Sequence, residues 1–170
     1  MSIQDNVTTN PRGAVFDVLD EVRAGMLGLS GAGEGFQPMT HFPDPTAGVI
    51  WFISSTQTDF VASLDQGENA DYVVISPDHD VHISLRGKLY HVQDRARIDD
   101  LWSPMIAAWF AGGRTDPHVA LLRFELEVGD IWASTPSTLK FGFEMIRANL
   151  DPSHHPDIGV KANVRFATTA

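Results

Sequence analysis

Residues 48–64, GVIWFISSTQTDFVASL, decide how the rest of this chain is interpreted. The segment begins with a continuous run of β-branched and aromatic residues at 49–53, which is typical of a strand buried on both faces. Polar side chains follow at 54–58. A short helical pattern comes next, with Thr58 in a favourable N-cap position and Asp59 in the first turn.

Two interpretations of this strand, turn and helix remain open. The free backbone N–H groups and the helix dipole at such a junction can bind an anion. Alternatively, the segment is an ordinary strand-to-helix turn whose hydroxyl groups only cap the helix. The segment taken alone does not distinguish a ligand site from a cap.

Length and composition indicate one globular domain covering residues 1–170. The chain has 43% hydrophobic and 20% charged residues, a balance that indicates a folded protein. The formal net charge of −10 argues against nucleic acid or an anionic membrane as the main partner. The same charge means that an anionic ligand would need a local positive site.

The chain contains no cysteine, which excludes disulfides, thiolate metal ligands and a cysteine nucleophile. No apolar run approaches the 18 residues or so that a membrane-spanning helix needs. The N-terminal residues also lack the basic-then-apolar order of a secretory signal. We therefore expect a cytoplasmic protein without a membrane span.

The hydrophobic pattern along the chain predicts a mainly β fold. Residues 1–10 are polar and are predicted to be disordered, and residues 12–26 are predicted to form an amphipathic helix. Further helices are predicted at 94–110, divided by Pro104, and at 137–150. Gly87 suggests a bulge within a long strand. Strands are predicted at 26–29, 36–42, 49–53, 72–75, 81–92, 120–126, 128–133 and 161–166, with 151–170 as a C-terminal extension. Short strands with few helices between them favour a small antiparallel barrel.

Histidines provide no convincing metal site. His79 and His82 lie close to two aspartates in a predicted turn, but strand alternation would direct these two imidazoles to opposite faces. His154 and His155 lie in a proline-flanked loop. We therefore predict no metal ligand. The nucleophile motif of serine hydrolases is also missing.

Aromatic residues give a stronger indication of function. Trp109 stands at a predicted helix end, directly before a glycine-rich loop, where an aromatic ring can cover a flat ligand or contact a partner subunit. The run LWSPMIAAWFAGGRTDP, residues 101–117, resembles the helix and loop of the general stress protein 26-like family. That family belongs to the pyridoxamine 5′-phosphate oxidase-like split barrels that bind FMN. The resemblance extends over residues 12–150 and includes the segments 25–27, 37–39, 51–55, 85–88, 121–123 and 132–134.

The resemblance implies a six-stranded antiparallel split β-barrel that forms a homodimer, with FMN in a groove between the subunits. It places the isoalloxazine ring and ribityl chain along residues of one central strand and the phosphate at the strand–turn–helix junction. Trp109 and Trp132 would approach the ring, one or both from the partner subunit. The cofactor-binding residues that the resemblance implies are Gln37, Met39, Phe52, Ile53, Ser54, Ser55, Thr58, Phe60, Trp109 and Trp132.

The chain departs from that family pattern at two positions that serve the phosphate. The family commonly has arginine at the position of Gln37 and lysine at the position of Phe60. No lysine or arginine occurs between Arg23 and Arg86. Because a charge-assisted hydrogen bond contributes more than a neutral one, both losses weaken the case for a bound phosphate. Cations that could replace them are Arg86, Arg114 and Arg123.

The sequence and the resemblance therefore leave two functions open. The first is an FMN-binding, oxidoreductase-like protein of the general stress protein type, in which the flavin provides the redox chemistry and no catalytic residue is assigned. The second is a non-catalytic stress-related module that has lost FMN or binds another flat ligand in the same groove. The aromatic and hydroxyl residues favour the first function, and the missing cations favour the second.

Overall fold

The computed structural model describes residues 2–31, 35–64, 66–134, 138–151, 153, 155 and 159–166. The helices are α1 (Ile3–Thr9), α2 (Pro11–Glu21), α3 (Asp59–Ala62), α4 (Arg95–Leu101), α5 (Pro104–Ala107) and α6 (Thr138–Leu150). The strands are β1 (Ala24–Leu29), β2 (Gln37–Thr40), β3 (Phe42–Asp44), β4 (Val49–Ser55), β5 (Glu68–Ile75), β6 (Val81–Val92), β7 (Val119–Ser134) and β8 (Gly159–Arg165). A 3₁₀ turn covers Gly113–Thr115.

All of these strands belong to one curled, eight-stranded antiparallel sheet. Its order is β2-β1-β5-β6-β7-β4-β3, and β8 pairs with β7 outside that path. The first half of β7 pairs with β4 and the second half with β8, because β7 is long enough to serve two neighbours. The mainly β, split-barrel class predicted from the sequence is confirmed, with eight strands rather than six.

Alternation along the strands builds the core inside this curved sheet. In β6, Val81, Ile83, Leu85, Gly87 and Leu89 are buried, and the residues that alternate with them are more exposed. Helix α2 contributes a further apolar face to the same cluster, including Phe16 and Leu19. Removing these side chains from water stabilises the fold by about 1.5–3 kcal/mol for each large residue.

The bulge predicted at Gly87 is confirmed. The pairing register between β6 and β7 shifts between Arg86 and Gly87. Arg86 pairs with Val128 and Gly87 with Leu126, so Glu127 of β7 has no paired residue in β6. A Cβ atom at Gly87 would lie 1.9 Å from the carbonyl oxygen of Glu125. Glycine is therefore required here because the neighbouring backbone approaches too closely for any side chain.

The N-terminal predictions need two corrections. Residues 3–9 form a capped helix rather than a disordered segment, because α1 buries Val7 completely against the core. The next helix ends at Glu21 rather than at residue 26. Gly25 already belongs to β1, where a Cβ would lie 2.7 Å from the hydroxyl oxygen of Tyr72. Close packing across the sheet, rather than helix termination, explains this glycine.

The C-terminal half also differs from expectation in two places. Residues 119–134 form one continuous bulged strand instead of two strands. Residues 159–165 of the predicted extension pair with β7, and Val164 and Phe166 are buried in the core. This part of the extension is therefore integral to the sheet. His154 lies outside the described residues.

Candidate functional site

Strand β4 brings hydroxyl groups to the edge of the barrel. Its last residues, Ser54 and Ser55, pair with the beginning of β7. In the following turn, the backbone N–H of Thr56 donates to the carbonyl oxygen of His118 at 2.9 Å. The strand–turn–helix junction is thereby fixed to the central strand of the sheet.

Most of the hydroxyl groups at this junction are already used by the protein. Thr58 Oγ1 donates to the carbonyl oxygen of Ser55 at 2.9 Å and accepts from the N–H of Val61 at 3.2 Å. Ser55 Oγ accepts from the N–H of Gln57 at 3.2 Å. Within the described part of the chain, the Ser54 hydroxyl has no hydrogen-bond partner. The predicted N-cap role of Thr58 is confirmed, and Thr58 has no proton left to donate to a ligand.

A second wall comes from α5 and the residues after it. The helix is separated from α4 where Pro104 occupies its first turn and Ser103 Oγ accepts from the N–H of Ile106 at 3.4 Å. The predicted division at Pro104 is confirmed. Trp109 follows the helix and is 82% exposed, whereas Phe110 packs on Trp102 with ring centroids 6.0 Å apart. The Trp109 ring is thus free to cover a ligand.

Asp116 holds the glycine-rich loop that follows this wall. Its carboxylate accepts from the backbone N–H of His118 at 2.9 Å and of Gly112 at 3.0 Å. These two bonds lower the pKa of Asp116 below its ordinary value because they stabilise the ionised form. Gly113 adopts a φ of +66°, which favours glycine. The loop therefore has a defined shape next to Trp109.

Strands β2, β3 and β4 and helix α5 enclose a cleft of about 530 Å³. Apolar and aromatic side chains form most of its wall, and hydroxyl groups form the remainder. None of the described residues that line it carries a charge. A cleft of this size and composition suits a flat, largely apolar ring with a few polar contacts. The lining residues are Pro38, Met39, Thr40, Phe42, Ile53, Ser54, Ser55, Thr58, Met105, Ile106, Trp109 and Phe110.

Six of the residues predicted from the sequence meet in this cleft. They come from three separate parts of the chain: one from β2, three from the end of β4 and two from the ends of the helical segments. The six are Met39, Ile53, Ser54, Ser55, Thr58 and Trp109.

Two predicted cofactor residues have their side chains in the core instead. Phe52 is fully buried and packs edge-to-face on Tyr72 with centroids 5.1 Å apart. Phe52 does not line the cleft, whereas Ile53, the next residue of β4, does. Phe60 is 6% exposed and packs in the same core from α3. Neither side chain lines the cleft, and a role of these two residues in binding the cofactor stays a prediction.

Two further predicted residues lie outside the cleft of this chain. Gln37 pairs with Leu27 at the beginning of β2 and does not reach the lining. Trp132 lies in the distant second half of β7, where the Lys161 Nζ atom is 4.9 Å from its ring centroid. A contribution of Trp132 from a partner subunit stays a prediction.

The three arginines considered as replacements for the missing cations are engaged elsewhere. Arg86 pairs with Asp130 at 3.6 Å, and Arg114 pairs with Asp99 at 3.8 Å. Arg123 pairs with its neighbour Glu125 at 2.8 Å. None of these arginines lines the cleft.

Arg23 is a cation in a depression beside the cleft. It lines a neighbouring depression that has Thr40, Phe42 and Met105 in common with the cleft. Asp20 lines the same depression and brings a charge of opposite sign. The depression therefore provides little net positive potential.

Several lining residues were not assigned to the site from sequence. Met105 and Ile106 belong to the helix predicted at 94–110 and received no role in the site. Thr40 and Phe42 were interpreted as strand residues only. Their shared position around the cleft depends on how β2 and β3 meet α5, which no local sequence pattern encodes.

Among the described residues, no group of three or more His, Asp or Glu side chains is arranged to hold a metal ion. Within the same residues, no helix combines the length and apolar character needed to cross a bilayer.

Comparisons with known proteins place the chain in a family. Residues 11–157 match the family described as pyridoxamine 5′-phosphate oxidase like. A solved structure described as a general stress protein 26 from Jannaschia sp. CCS1 is 36% identical, with a TM-score of 0.72, covering 89% of this chain and 95% of its own. A general stress family protein from Xanthomonas campestris pv. campestris is 36% identical, with a TM-score of 0.68 and coverages of 75% and 89%.

A third structure is described as the general stress FMN/FAD binding protein of Xanthomonas citri. It is 37% identical, with a TM-score of 0.65, and covers 72% of this chain and 89% of its own. A comparison with curated proteins gave no match. The match over most of the chain and these identities show that the protein belongs to the pyridoxamine 5′-phosphate oxidase-like family, among its general stress protein 26-like members.

Proposed function

We propose that this chain is an FMN-binding, oxidoreductase-like protein whose cleft holds the isoalloxazine ring. The observation that carries the proposal is the cleft of about 530 Å³, in which Met39, Ile53 and Trp109 present apolar surface beside the free hydroxyl of Ser54. Flat aromatic ligands bind in such clefts through apolar contact and a few oriented polar groups. The similarity to a protein described as FMN/FAD binding supports the same ligand class.

The lining fits the ring of FMN better than its phosphate. Uncharged apolar walls suit the isoalloxazine, and Ser54 can bond to a ring or ribityl oxygen. No arginine or lysine occurs among the described lining residues, and Thr58 uses its proton inside the protein. The neutral N–H groups at the beginning of α3 are the remaining donors at that end.

We extend the proposal to a homodimer that closes the cleft. Trp109 is 82% exposed, and α6 presents Phe143, Ile146 and Leu150 with exposures of 63%, 62% and 80%. Large apolar side chains this exposed are typical of surfaces that a partner covers. A second copy of the chain over these residues would exclude water from the ring.

A bound flavin would supply hydride or electron transfer with a nicotinamide or a small organic substrate. The chain's own residues would hold the ring flat and limit access of water to it. The described lining contains no carboxylate, histidine or lysine. We therefore assign no general acid or base, and no catalytic residue, to this cleft.

Spectral titration of the purified protein with FMN tests the ring site. We expect a perturbed flavin spectrum that persists after dialysis. A Ser54→Phe variant should fill the cleft and lose the flavin, whereas Gln57→Phe, on the exposed turn nearby, should retain it. Equal retention by both variants would show that the flavin binds elsewhere.

The second candidate is a binding module without turnover, favoured by the lack of titratable groups in the described lining. Anaerobic mixing of the FMN-loaded protein with NADH or NADPH separates the two functions. Bleaching of bound flavin much faster than of free FMN indicates an oxidoreductase. Bleaching at the rate of free FMN indicates a binding module. A cytoplasmic location stays a prediction from the sequence.

A further inference from the structure

We propose that the cleft recognises the uncharged part of the flavin and offers the phosphate no cation, so that riboflavin binds at least as tightly as FMN. This inference rests on the proposed flavin-binding function and specifies the form of ligand that the site accepts. It follows from the charges and hydrogen bonds around the cleft.

The first reason for this preference is the charge of the residues that line the cleft. Every described lining residue is uncharged, and the apolar residues Met39, Ile53 and Trp109 would contact the ring that riboflavin and FMN share. Ser54 supplies a hydroxyl that is free to bond a neutral oxygen. The affinity that these groups provide is the same for both ligands, because none of them distinguishes a phosphate from a hydroxyl by charge.

The second reason is the hydrogen bonding on the hydroxyl side of the cleft, which Ser54, Ser55 and Thr58 form and where a phosphate would otherwise be bound. The hydroxyl proton of Thr58 is donated to the carbonyl oxygen of Ser55, so its oxygen presents lone pairs rather than a donor. Asp59 follows directly in the first turn of α3 and is exposed. The residue next to Thr58 therefore adds a negative charge near this side of the cleft rather than a positive one.

The third reason is the electrostatic field that the net charge of the whole chain produces. The chain carries a formal net charge of −10, and Arg23 lies with Asp20 in the adjoining depression. The average field therefore repels FMN and leaves riboflavin unaffected. Salt screens this repulsion, since the Debye length falls from about 30 Å at 0.01 M to about 10 Å at 0.1 M.

The salt dependence consequently has a predicted sign. If arginine or lysine bound the phosphate, FMN affinity would fall as salt is added. Here FMN affinity should stay constant or rise with salt, and riboflavin affinity should not change. A phosphate held by one charge-assisted bond would instead favour FMN by about 10- to 100-fold.

The test is a fluorescence titration of the full chain with riboflavin and with FMN, at low and at moderate salt. We expect riboflavin to bind as tightly as FMN or more tightly, by about two- to tenfold at low salt. Binding of FMN more than about tenfold tighter, with an affinity that falls as salt rises, overturns the inference and leaves flavin binding intact. Binding of neither ligand overturns the proposed function and this inference with it.

Single substitutions test whether the missing cation causes the preference for riboflavin. Gln57→Lys places a cation on the exposed turn between the lining residues Ser55 and Thr58 and should favour FMN over riboflavin by about tenfold at low salt. Thr8→Lys, on the exposed face of α1, makes the same change in net charge and should not shift the ratio by that amount. An unchanged ratio in Gln57→Lys would contradict the inference. A selective loss of FMN affinity in Arg23→Ala would show that Arg23 binds the phosphate and would also overturn it.

Discussion

The hydroxyl oxygen of Tyr72 lies 2.6 Å from Nδ1 of His41, in the buried interior beside the candidate cleft. Nε2 of His41 is 2.7 Å from the carbonyl oxygen of Leu19. A carbonyl only accepts, so Nε2 carries the proton and Nδ1 accepts from the Tyr72 hydroxyl. His41 lies between Thr40 and Phe42, which both line the cleft. The pair therefore fixes the β2–β3 wall of the cleft to β5.

Removal of the Tyr72 hydroxyl should destabilise the protein. Tyr72→Phe leaves Nδ1 of His41 buried without a donor, which costs about 1–3 kcal/mol of unfolding free energy. Tyr90→Phe is the matched control, because among the described residues the Tyr90 hydroxyl has no hydrogen-bond partner. Denaturant unfolding of both variants measures the difference. Equal stabilities of the two variants would show that the His41–Tyr72 bond contributes nothing net.

The same histidine should make stability depend on pH. Burial lowers the pKa of His41 below its ordinary 6.5, because desolvation disfavours the charged ring. The unfolded chain then binds more protons than the folded chain as pH falls below 6.5, so stability declines from that pH down through the lowered pKa. His41→Gln should flatten this part of the profile. An identical slope in wild type and variant, measured by unfolding at several pH values, would contradict the assignment.

Glycine substitutions at the bulge and on α6 should have opposite effects. Gly87→Ala places a Cβ 1.9 Å from the carbonyl oxygen of Glu125 and should destabilise the fold by about 1–3 kcal/mol or more. Gly142→Ala on α6 meets no atom within 4 Å and should be neutral or stabilising by up to about 1 kcal/mol. Thermal unfolding compares the two. A tolerated Gly87→Ala would mean that β6 and β7 separate easily at the bulge.

Trp109 should matter for the ligand and little for the fold. Its ring is 82% exposed, so Trp109→Ala should change unfolding free energy by less than about 1 kcal/mol. Loss of aromatic contact with the flavin should weaken binding by about tenfold. Trp132→Ala, assayed in parallel, tests whether a partner subunit brings that ring to the same ligand. Unchanged flavin affinity in Trp109→Ala would remove Trp109 from the site.

The apolar face of α6 should mediate the proposed dimer. Phe143→Asp places a charge on a side chain that is 63% exposed in the single chain, so the fold should persist while association is lost. Asn149→Asp, on the same helix and also exposed, is the control. Sedimentation velocity should show monomers for the first variant and dimers for the second. A dimeric Phe143→Asp protein would place the interface elsewhere.

Sequence patterns were sufficient where local physics determines the structure. The apolar run at 49–53, the N-cap at Thr58 and the division at Pro104 each follow from backbone or side-chain preferences over a few residues. The strand–turn–helix junction was therefore located correctly, and the split-barrel class followed from the strand pattern together with the resemblance.

Sequence patterns failed where distant packing decides. Gly25 was included in the helix predicted at 12–26, yet it is a strand residue that makes room for Tyr72. The resemblance matched Phe60 with a phosphate-binding lysine of the family, but the Phe60 side chain packs in the core. Phe42 of β3 and Met105 of α5 line the same cleft although they are far apart in the chain, and no local sequence pattern brings them together.

A crystal structure of the protein grown with FMN is the most direct test of the account. The account predicts that the isoalloxazine ring lies in the cleft against Ile53 and Trp109, with Ser54 bonded to a neutral oxygen and no arginine or lysine of the same chain on the phosphate. Flavin bound away from this cleft, or a cleft that remains empty when FMN binds in solution, would contradict it.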